Sequence, residues 1–235
     1  MIANSNPEPD LSRLARTVGD PSRIRMLTLL MEGRALTAKE LAYGAGVEPA
    51  TASAHLRRLE EDAFVSKTAQ GRHKYFRLAS PQVAQLVEAL MVMSPQAQPQ
   101  RTGANQDAPI RLARFCYDHL AGRLGTGLTA ILLERGLLSI DGKAFAVTAA
   151  GESWFQSFGI DLGSLRSGRR QFAHQCLDWT ERKDHLAGAL GAAIAQRLLE
   201  LGWITRQKSS RVVSITESGQ HGLQQQFGLS LRAAA

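Results

Sequence analysis

The chain has 235 residues, of which 44% are hydrophobic and 6% aromatic, enough apolar material for one or two packed domains. Its net charge of +7 and its pI near 9.9 favour an acidic partner such as a nucleic acid. The N-terminal residues MIANSNPEPD lack both a basic segment and an apolar run, so no signal peptide is expected. No stretch approaches the roughly 18–20 apolar residues of a membrane span, and two cysteines make no disulfide framework. We therefore expect a soluble, cytoplasmic protein whose cysteines begin as thiols.

Two helices are predicted near the N-terminus. Apolar residues recur at helical spacing over Leu11–Val18, which indicates a first amphipathic helix. Asp20 followed by Pro21 is an N-cap with proline at the first helical position, so a second helix begins there and covers Ser22–Met31. The apolar residues expected to face inward from it are Ile24, Met26, Leu27 and Leu30.

Two further helices and a hairpin follow. Thr37 and Glu40 form a capping box that starts the third helix, which stops at a glycine-bearing turn over residues 44–46. Pro49 opens a fourth helix through ATASAHLRRLEEDAF. The segment VSKTAQGRHKYFRL alternates around a turn at residues 70–71, which predicts a β-hairpin. Helix, glycine turn, helix and hairpin in this order predict a winged helix-turn-helix domain.

The fourth helix has a surface suited to a DNA major groove. Small polar residues near its N-terminal end let the backbone approach the bases, and two arginines can reach phosphates or guanine edges. The hairpin carries basic residues with no acid among them, as expected of a wing on a phosphate backbone. The predicted major-groove contacts are Thr51, Ser53, His55, Arg57 and Arg58, and the predicted phosphate contacts are Lys67, Arg72 and Lys74.

Two points stay open for this helix. An ordinary amphipathic helix with a solvated charged face would show a similar pattern, although the capped helix before it and the basic wing after it argue against that. His55 either touches a phosphate or packs at the base of the helix.

Residues 1–93 hold 12 Lys and Arg against 10 Asp and Glu, so DNA affinity has to come from local placement and dimerisation.

The segments GDPSRIRMLTLL and LTAKELAYGAGVEPATASAHLRRLEEDAFVSKTAQGRHKYFRL resemble the ArsR-type bacterial repressors. The resemblance rests on a D-P-x-R-x-x-x-L-x-x-L helix, an S-x-H-L-x-x-L recognition helix and a basic wing, and it covers about residues 10–93. It implies a winged-helix DNA-binding and dimerisation domain over that range. It further implies a homodimer that reads a palindromic operator, with Pro81–Met93 as the dimer helix.

The metal-sensing positions that this resemblance implies are missing from the sequence. Family members often carry Cys-x-Cys on the first helix of the reading motif, whereas Glu40–Gly46 contains no cysteine. Others carry Asp-x-His and a later His or Glu on the dimer helix, where Pro81–Met93 offers only Glu88. We therefore expect any signal to enter through the residues from Ile110 onward.

An internal duplication follows a Gln-, Pro-, Gly- and Ala-rich segment over residues 94–109, which indicates a linker. The pentapeptide DHLAG occurs at Asp118–Gly122 and at Asp184–Gly188, and the similarity extends over about residues 116–162 and 176–230. Each copy predicts a helix, a glycine C-cap, a hairpin and a second helix. We expect a pseudo-symmetric domain over 110–232. The whole chain is then mainly α with small β-hairpins (α+β), an N-terminal winged helix-turn-helix plus a duplicated helix–hairpin–helix domain.

Both cysteines lie beside the repeats, and the repeats contain equivalent histidines. Cys116 and His119 are three residues apart and would share one face of a helix. If the copies pack about a pseudo-twofold axis, they bring Cys116, His119, Cys176 and His185 together, a set that suits Zn²⁺ or a softer metal. The thiols alone would instead support a disulfide or polysulfide. A third interpretation is purely structural, with buried cysteines and hydrogen-bonded interior histidines.

The sequence thus predicts a homodimeric DNA-binding repressor that is not an enzyme. Its effector would act on the C-terminal domain through thiol oxidation, persulfide or a metal. The alternatives are an effector-independent architectural DNA-binding protein and, as an enzyme, a Cys/His metal-dependent hydrolase. No phosphate-binding glycine loop, HExxH or GxSxG motif appears. Two further interpretations of the repeated half are a second DNA-binding surface and a small-molecule pocket lined by Trp154, Trp179 and Trp203.

Overall fold

The computed structural model describes residues 11–94, 108–207 and 210–231. The chain forms two compact units, of which the first comprises the described residues up to Leu30 together with Arg34–Val83. The second comprises Met31–Gly33 and the described residues from Ala84 onward. Most of the predicted linker, residues 95–107, lies outside the described residues, as does residue 232. No helix in the described ranges has the length and apolar character needed to cross a membrane.

The first unit has the predicted winged helix-turn-helix fold. Its elements in chain order are α1 (Leu11–Val18), α2 (Pro21–Leu30), β1 (Leu36–Thr37), α3 (Ala38–Ala45), α4 (Pro49–Glu61), β2 (Val65–Gln70) and β3 (His73–Leu78), and α5 (Pro81–Met93) begins at its end. The three strands form an antiparallel sheet in the order β1-β3-β2. The core between helices and sheet includes Met26, Leu27, Leu41, Leu56, Leu59 and Phe76.

Local sequence signals explain why the reading motif forms where it does. The Thr37 hydroxyl accepts from the Glu40 backbone N–H, and the Glu40 carboxylate accepts from the Thr37 N–H at 2.7 Å, so the predicted capping box is present. Gly46 adopts a left-handed conformation with φ 69° and ends α3. Pro49 then occupies the first turn of α4, where its missing N–H has no cost.

Apolar side chains remain exposed on two helices. On α1, Leu11 is 70% and Leu14 40% exposed, so the predicted stripe of that helix faces away from the core of its own unit. On α5, Leu86 and Met93 are exposed while Val87 is buried, so the apolar residues predicted for one dimer face are divided between two faces.

The second unit contains the duplication. Its first copy comprises β4 (Arg114–Cys116), β5 (His119–Ala121), α7 (Gly122–Glu134), β6 (Leu138–Asp141), β7 (Ala144–Val147) and α8 (Ala149–Ser157) after the short α6 (Pro109–Leu112). After α9 (Leu162–Ser167), the second copy comprises β8 (His174–Leu177), β9 (Asp184–Ala187), α10 (Gly188–Glu200), β10 (Ile204–Arg206), β11 (Val213–Ile215) and α11 (Glu217–Phe227). Each copy is therefore a hairpin, a helix, a second hairpin and a second helix.

The opening hairpin of each copy corrects the prediction of a helix at DHLAG. The DHLA residues lie in or next to strands β5 and β9, and the helix begins only at the glycine. Ala121 and Ala187 are the helix N-caps, so neither DHLAG aspartate caps a helix. The physical reason is the backbone of Gly122 and Gly188, whose φ values of 75° and 88° turn the chain from strand to helix.

The two copies share one apolar core. Leu120, Leu124, Leu128 and Leu132 of the first copy join Leu186, Leu190, Ile194 and Leu198 of the second, as equivalent positions of a duplicated unit should. Trp154 and Trp203 pack on Phe158, with ring centroids 5.0 and 6.1 Å from its ring, whereas Trp179 lies beside the Arg114 guanidinium. The three indole rings are therefore divided between two environments.

Candidate nucleic-acid interface and cysteine–histidine site

The outer face of α4 carries small polar residues and one extended arginine. Thr51 and Ser53 are exposed near the N-terminal end of the helix, and the Arg57 side chain is 77% exposed. On the wing, Arg72 and Lys74 are exposed as well. These five predicted contacts leave a polar and basic surface open to a ligand.

Arg57 also lies 3.9 Å from Glu61, and the other three predicted contacts make closer contacts within the protein. Arg58 Nε lies 2.9 Å from Asp62, and Lys67 Nζ lies 2.9 Å from Glu60. His55 Nδ1 is 3.3 Å from Arg23 Nη1, at the start of α2. His55 thus packs at the base of the helix, which was one of the two interpretations left open.

Asp62 is a buried carboxylate that the sequence did not single out. Its side chain is inaccessible to solvent, and Arg13 Nε and the Thr17 hydroxyl each donate to it at 2.5 Å. Burial acts to raise the pKa of Asp62, but these hydrogen bonds and the Arg58 charge hold that pKa below its usual value. Asp62 therefore ties α1 to the end of the recognition helix.

We expect Asp62→Asn to lower the free energy of unfolding of the first unit by about 1–3 kcal/mol at neutral pH. Because the folded pKa is depressed, the carboxylate's stabilisation is present above the unfolded value of 3.8 and disappears as the pH falls through the folded pKa. The deficit of the variant should therefore shrink in acid. Urea unfolding followed by circular dichroism at neutral and acidic pH measures it.

Glu61→Gln is the matched control, since that carboxylate is on the same helix but half exposed. All three tryptophans lie in the second unit, so the tryptophan fluorescence transition should be the same in wild type and both variants. Equal stability of Asp62→Asn and Glu61→Gln would contradict the role assigned to Asp62.

In the second unit, the structure brings all four predicted sensing residues together. Each opening hairpin pairs one cysteine with one histidine across its strands, Cys116 with His119 and Cys176 with His185. The two sulfurs are 3.9 Å apart and the two histidine Nε2 atoms 3.2 Å apart. One donor atom from each residue lies within 4.8 Å of all the others. Cys116 and both histidines are buried, and Cys176 is partly exposed.

Two glycines allow the hairpins to approach so closely. A Cβ on Gly191 would lie 2.3 Å from the Leu186 carbonyl oxygen and 3.2 Å from the Cβ of His119. A Cβ on Gly125 would lie 2.2 Å from the Leu120 oxygen and 3.6 Å from the Cβ of His185. A side chain at Gly191 would therefore crowd His119 of the other copy, whereas at Gly125 the collision is with Leu120 of its own copy.

A carboxylate lies near the Nδ1 atom of each histidine ring. Asp118 Oδ1 is 3.3 Å from His119 Nδ1, and Arg170 holds that carboxylate through two hydrogen bonds. Asp178 Oδ2 is 3.7 Å from His185 Nδ1 and accepts from Arg114 Nη2 at 2.9 Å and from the Gly122 N–H at 2.6 Å. Asp118 thus orients the His119 ring through a hydrogen bond, whereas Asp178 is near the His185 ring without a hydrogen bond to it.

The surroundings of the two thiols shift their pKa values in opposite directions. Burial raises the pKa of Cys116, and the neighbouring Cys176 thiolate raises it further. The hydrogen bond with Cys116 lowers the pKa of Cys176 well below its usual range, with help from His119 and His185. Burial alone would lower the pKa of His119, but the hydrogen bonds to Asp118 and Cys176 raise it to about 9. The surroundings therefore favour the thiolate form at Cys176 and the protonated form at His119.

Glu88 of α5 is a second buried carboxylate whose surroundings were not predicted from the sequence. It is 4% exposed, and its charge contributes to the raised pKa of Cys116. Its negative charge also faces Arg211, which is buried as well. A groove of about 340 Å³ runs beside it between α5 and β8, and Cys176 lines that groove. The dimer helix predicted from the sequence thus borders the cysteine–histidine site.

Comparison with known proteins adds to this picture. Residues 18–67 match the helix-turn-helix domain family. The chain is 39% identical over 224 residues to the uncharacterized HTH-type transcriptional regulator YdfF of Bacillus subtilis (strain 168), over 95% of this chain and 99% of that protein. The similarity to YdfF therefore extends through both units.

Solved structures that are similar to part of the chain include those of two bacterial proteins. One is the homodimeric winged helix-turn-helix domain of Mb0332 from Mycobacterium bovis, described as a possible ArsR-family transcriptional regulator, with 24% identity and a TM-score of 0.35 over 39% of this chain and 84% of that chain. The other is the transcriptional repressor BigR from Xylella fastidiosa, with 25% identity and a TM-score of 0.33 over 37% of this chain and 89% of that chain.

Proposed function

We propose, from the premise that the chain belongs to the HTH-type transcriptional regulators, that it is a homodimeric repressor of a palindromic operator. The observation that carries this proposal is the surface of α4 and the wing, where small polar residues and basic side chains are exposed together. Thr51, Ser53 and Arg57 would meet base edges, and Arg72 and Lys74 would meet phosphates. DNA binding would take place in the cytoplasm.

We expect a smaller contribution to DNA binding from Arg58, Lys67 and His55 than the sequence suggested. Arg58 and Lys67 would have to leave their ion pairs with Asp62 and Glu60 to reach DNA. His55 supports the helix from its base. Operator affinity then depends mainly on the exposed arginines and the wing lysine.

Dimerisation is supported by apolar residues that the described chain leaves uncovered. Leu11 and Leu14 on α1 and Leu86 and Met93 on α5 are large, apolar and exposed. Covering them with a second copy would remove apolar surface from water and pair the two α4 helices. Half-sites about one helical turn apart, roughly 34 Å, would suit such a pair.

The C-terminal unit is the proposed sensor. A metal and thiol oxidation are the two candidate signals, because the cysteine–histidine cluster has donors for a metal and two sulfurs 3.9 Å apart. A regulator is favoured over a hydrolase, since a catalytic metal site keeps an open coordination position and this cluster already supplies four protein donors. An architectural protein would bind DNA equally with and without either signal.

Arg57→Ala should weaken binding to DNA from the protein's own promoter region by about tenfold to hundredfold, the value of one good base contact. The pair Arg72→Ala and Lys74→Ala should weaken binding to every sequence and reduce the salt slope by about 2, since each neutralised phosphate contributes about 0.9. Fluorescence anisotropy at several salt concentrations measures both effects.

Arg166→Ala is the charge-matched control, because Arg166 is exposed in the second unit and pairs with Glu152 there. Its affinity and salt slope should equal those of wild type. Salt-insensitive binding by the wild-type protein, or equal affinities for Arg57→Ala and Arg166→Ala, would refute the proposed DNA interface.

A further inference from the structure

We propose that the second unit binds one Zn²⁺ ion between its two copies, in a tetrahedral site formed by Cys116 Sγ, His119 Nε2, Cys176 Sγ and His185 Nε2. One Cys/His pair would come from each opening hairpin, so the ion would join the copies at their pseudo-twofold axis. Its regulatory consequence rests on the proposed function, whereas the binding itself does not.

The sulfur–sulfur and nitrogen–nitrogen distances within the cluster match two edges of a zinc tetrahedron. Zinc–sulfur bonds of about 2.3 Å and zinc–nitrogen bonds of about 2.0–2.1 Å at tetrahedral angles place two sulfurs about 3.8 Å and two nitrogens about 3.3 Å apart. The corresponding separations here are 3.9 Å and 3.2 Å. A disulfide explains only the sulfur pair, and a histidine–histidine hydrogen bond explains only the nitrogen pair.

The surroundings of the histidines also fit metal ligation. Metal-bound histidines commonly donate their other ring N–H to a carboxylate, which fixes the tautomer and raises the basicity of the ligating nitrogen. Here Asp118 and Asp178 face the two Nδ1 atoms, and arginines anchor both carboxylates. The two Nε2 atoms lie 3.2 Å apart, so that a metal ion between them could accept a bond from each.

The charges balance when the ion is bound. Zn²⁺ would bind both cysteines as thiolates and both histidines as neutral imidazoles, with the displaced protons passing to solvent, and the two thiolate charges neutralise the ion. No electron transfer is required. Two sulfurs and two imidazole nitrogens in a tetrahedron favour zinc over Mg²⁺ or Ca²⁺, which prefer oxygen ligands.

The site has a physical connection to α5. Cys176 and the buried Glu88 line the same groove, so an ion bound to Cys176 would lie close to the Glu88 carboxylate. Glu88 belongs to the helix whose exposed apolar residues we assign to dimerisation. Zinc would therefore change the environment of α5, and through it the spacing of the two α4 helices on DNA.

The experiment uses the full-length chain stripped of metal and kept reduced. Titration with Co²⁺ should show one equivalent bound per chain, with the intense visible bands of tetrahedral Co²⁺ and a near-ultraviolet thiolate charge-transfer band. One equivalent of Zn²⁺ should abolish both signals. X-ray absorption of the zinc-loaded protein should give two sulfurs at about 2.3 Å and two nitrogens at about 2.0–2.1 Å.

Single substitutions test whether the two cysteines bind the ion. Because Cys116 and Cys176 are the only cysteines in the chain, Cys116→Ser and Cys176→Ser should each weaken the charge-transfer band and lower Co²⁺ affinity by at least tenfold. His221→Gln, an exposed histidine of the same unit, should titrate like wild type. An octahedral Co²⁺ spectrum, no bound equivalent, or a zinc shell without sulfur in the wild-type protein would overturn the proposal even if the serine variants fail to fold.

Promoter binding is measured separately, with zinc-loaded and zinc-free wild type. A zinc-dependent change in operator affinity of at least fivefold is expected, and it should be lost in Cys176→Ser. Metal binding without any effect on DNA affinity would overturn the regulatory part alone. Absence of DNA binding in both states would instead refute the proposed function and leave the metal site standing.

Discussion

Asp178→Ala should destabilise the second unit by about 3–5 kcal/mol, the cost of leaving a buried charge without its partner. Asp178 and Arg114 are both inaccessible to solvent, and their side chains meet at 2.9 Å. The same carboxylate accepts from the Gly122 N–H at 2.6 Å and from the Thr180 N–H at 2.8 Å. Together with the Glu181 N–H, which donates at 3.0 Å, three backbone donors and an arginine lose this partner when the carboxylate is removed.

Tryptophan fluorescence during urea unfolding measures this loss, since all three tryptophans lie in the second unit and Trp179 packs against Arg114. A chelator should be present so that metal binding does not contribute. Asp184→Ala is the control, because Asp184 is the exposed DHLAG aspartate of the second copy. Asp178→Ala combined with Arg114→Met should recover part of the loss, and a double variant less stable than both single ones would contradict this account.

Gly122→Ala should destabilise the second unit by about 2–5 kcal/mol, for two separate reasons. Gly122 has a φ of 75°, where a side chain costs about 1–2 kcal/mol. A Cβ there would also lie 2.6 Å from the Arg111 carbonyl oxygen, and overpacking of this kind costs about a further 1–3 kcal/mol. The same fluorescence-detected unfolding curve measures the loss.

Two other glycines separate these contributions. Gly136 has a φ of 64° but open space around its Cβ position, so Gly136→Ala should show the conformational cost alone. At Gly125 the collision with Leu120 occurs without a positive φ, so Gly125→Ala should show the steric cost alone. If Gly122→Ala is no worse than Gly136→Ala, the close approach to Arg111 does not matter.

The winged helix was predictable because its signals are local. A capping box at Thr37, a proline at the start of α4 and a polar turn at Gly71 each determine the backbone within a few residues. DHLAG was predicted wrongly as helix for the opposite reason. Its strand conformation depends on pairing within a hairpin and on the left-handed Gly122 and Gly188, neither of which hydrophobic periodicity reveals.

The proximity of the cysteines and histidines was predictable only through the repeat. Equivalent positions of two copies meet at a pseudo-twofold axis, and the duplication identified which positions are equivalent. Asp62, Glu88 and Asp178 carried no such signal. Distant parts of the chain supply partners to two of them: Arg13 and Thr17 lie 49 and 45 residues from Asp62, and Arg114 lies 64 residues from Asp178. Burial of a charge is a property of the fold that a single sequence does not display.

The contacts across the pseudo-twofold axis are reciprocal, since Gly125 faces His185 and Gly191 faces His119. Such reciprocity is the mark of an isologous interface, which in oligomers joins two identical subunits. Here one polypeptide carries both sides of that interface. The effective concentration of one half for the other is therefore set by the connecting chain, and this pairing persists at protein concentrations where a two-chain version would dissociate.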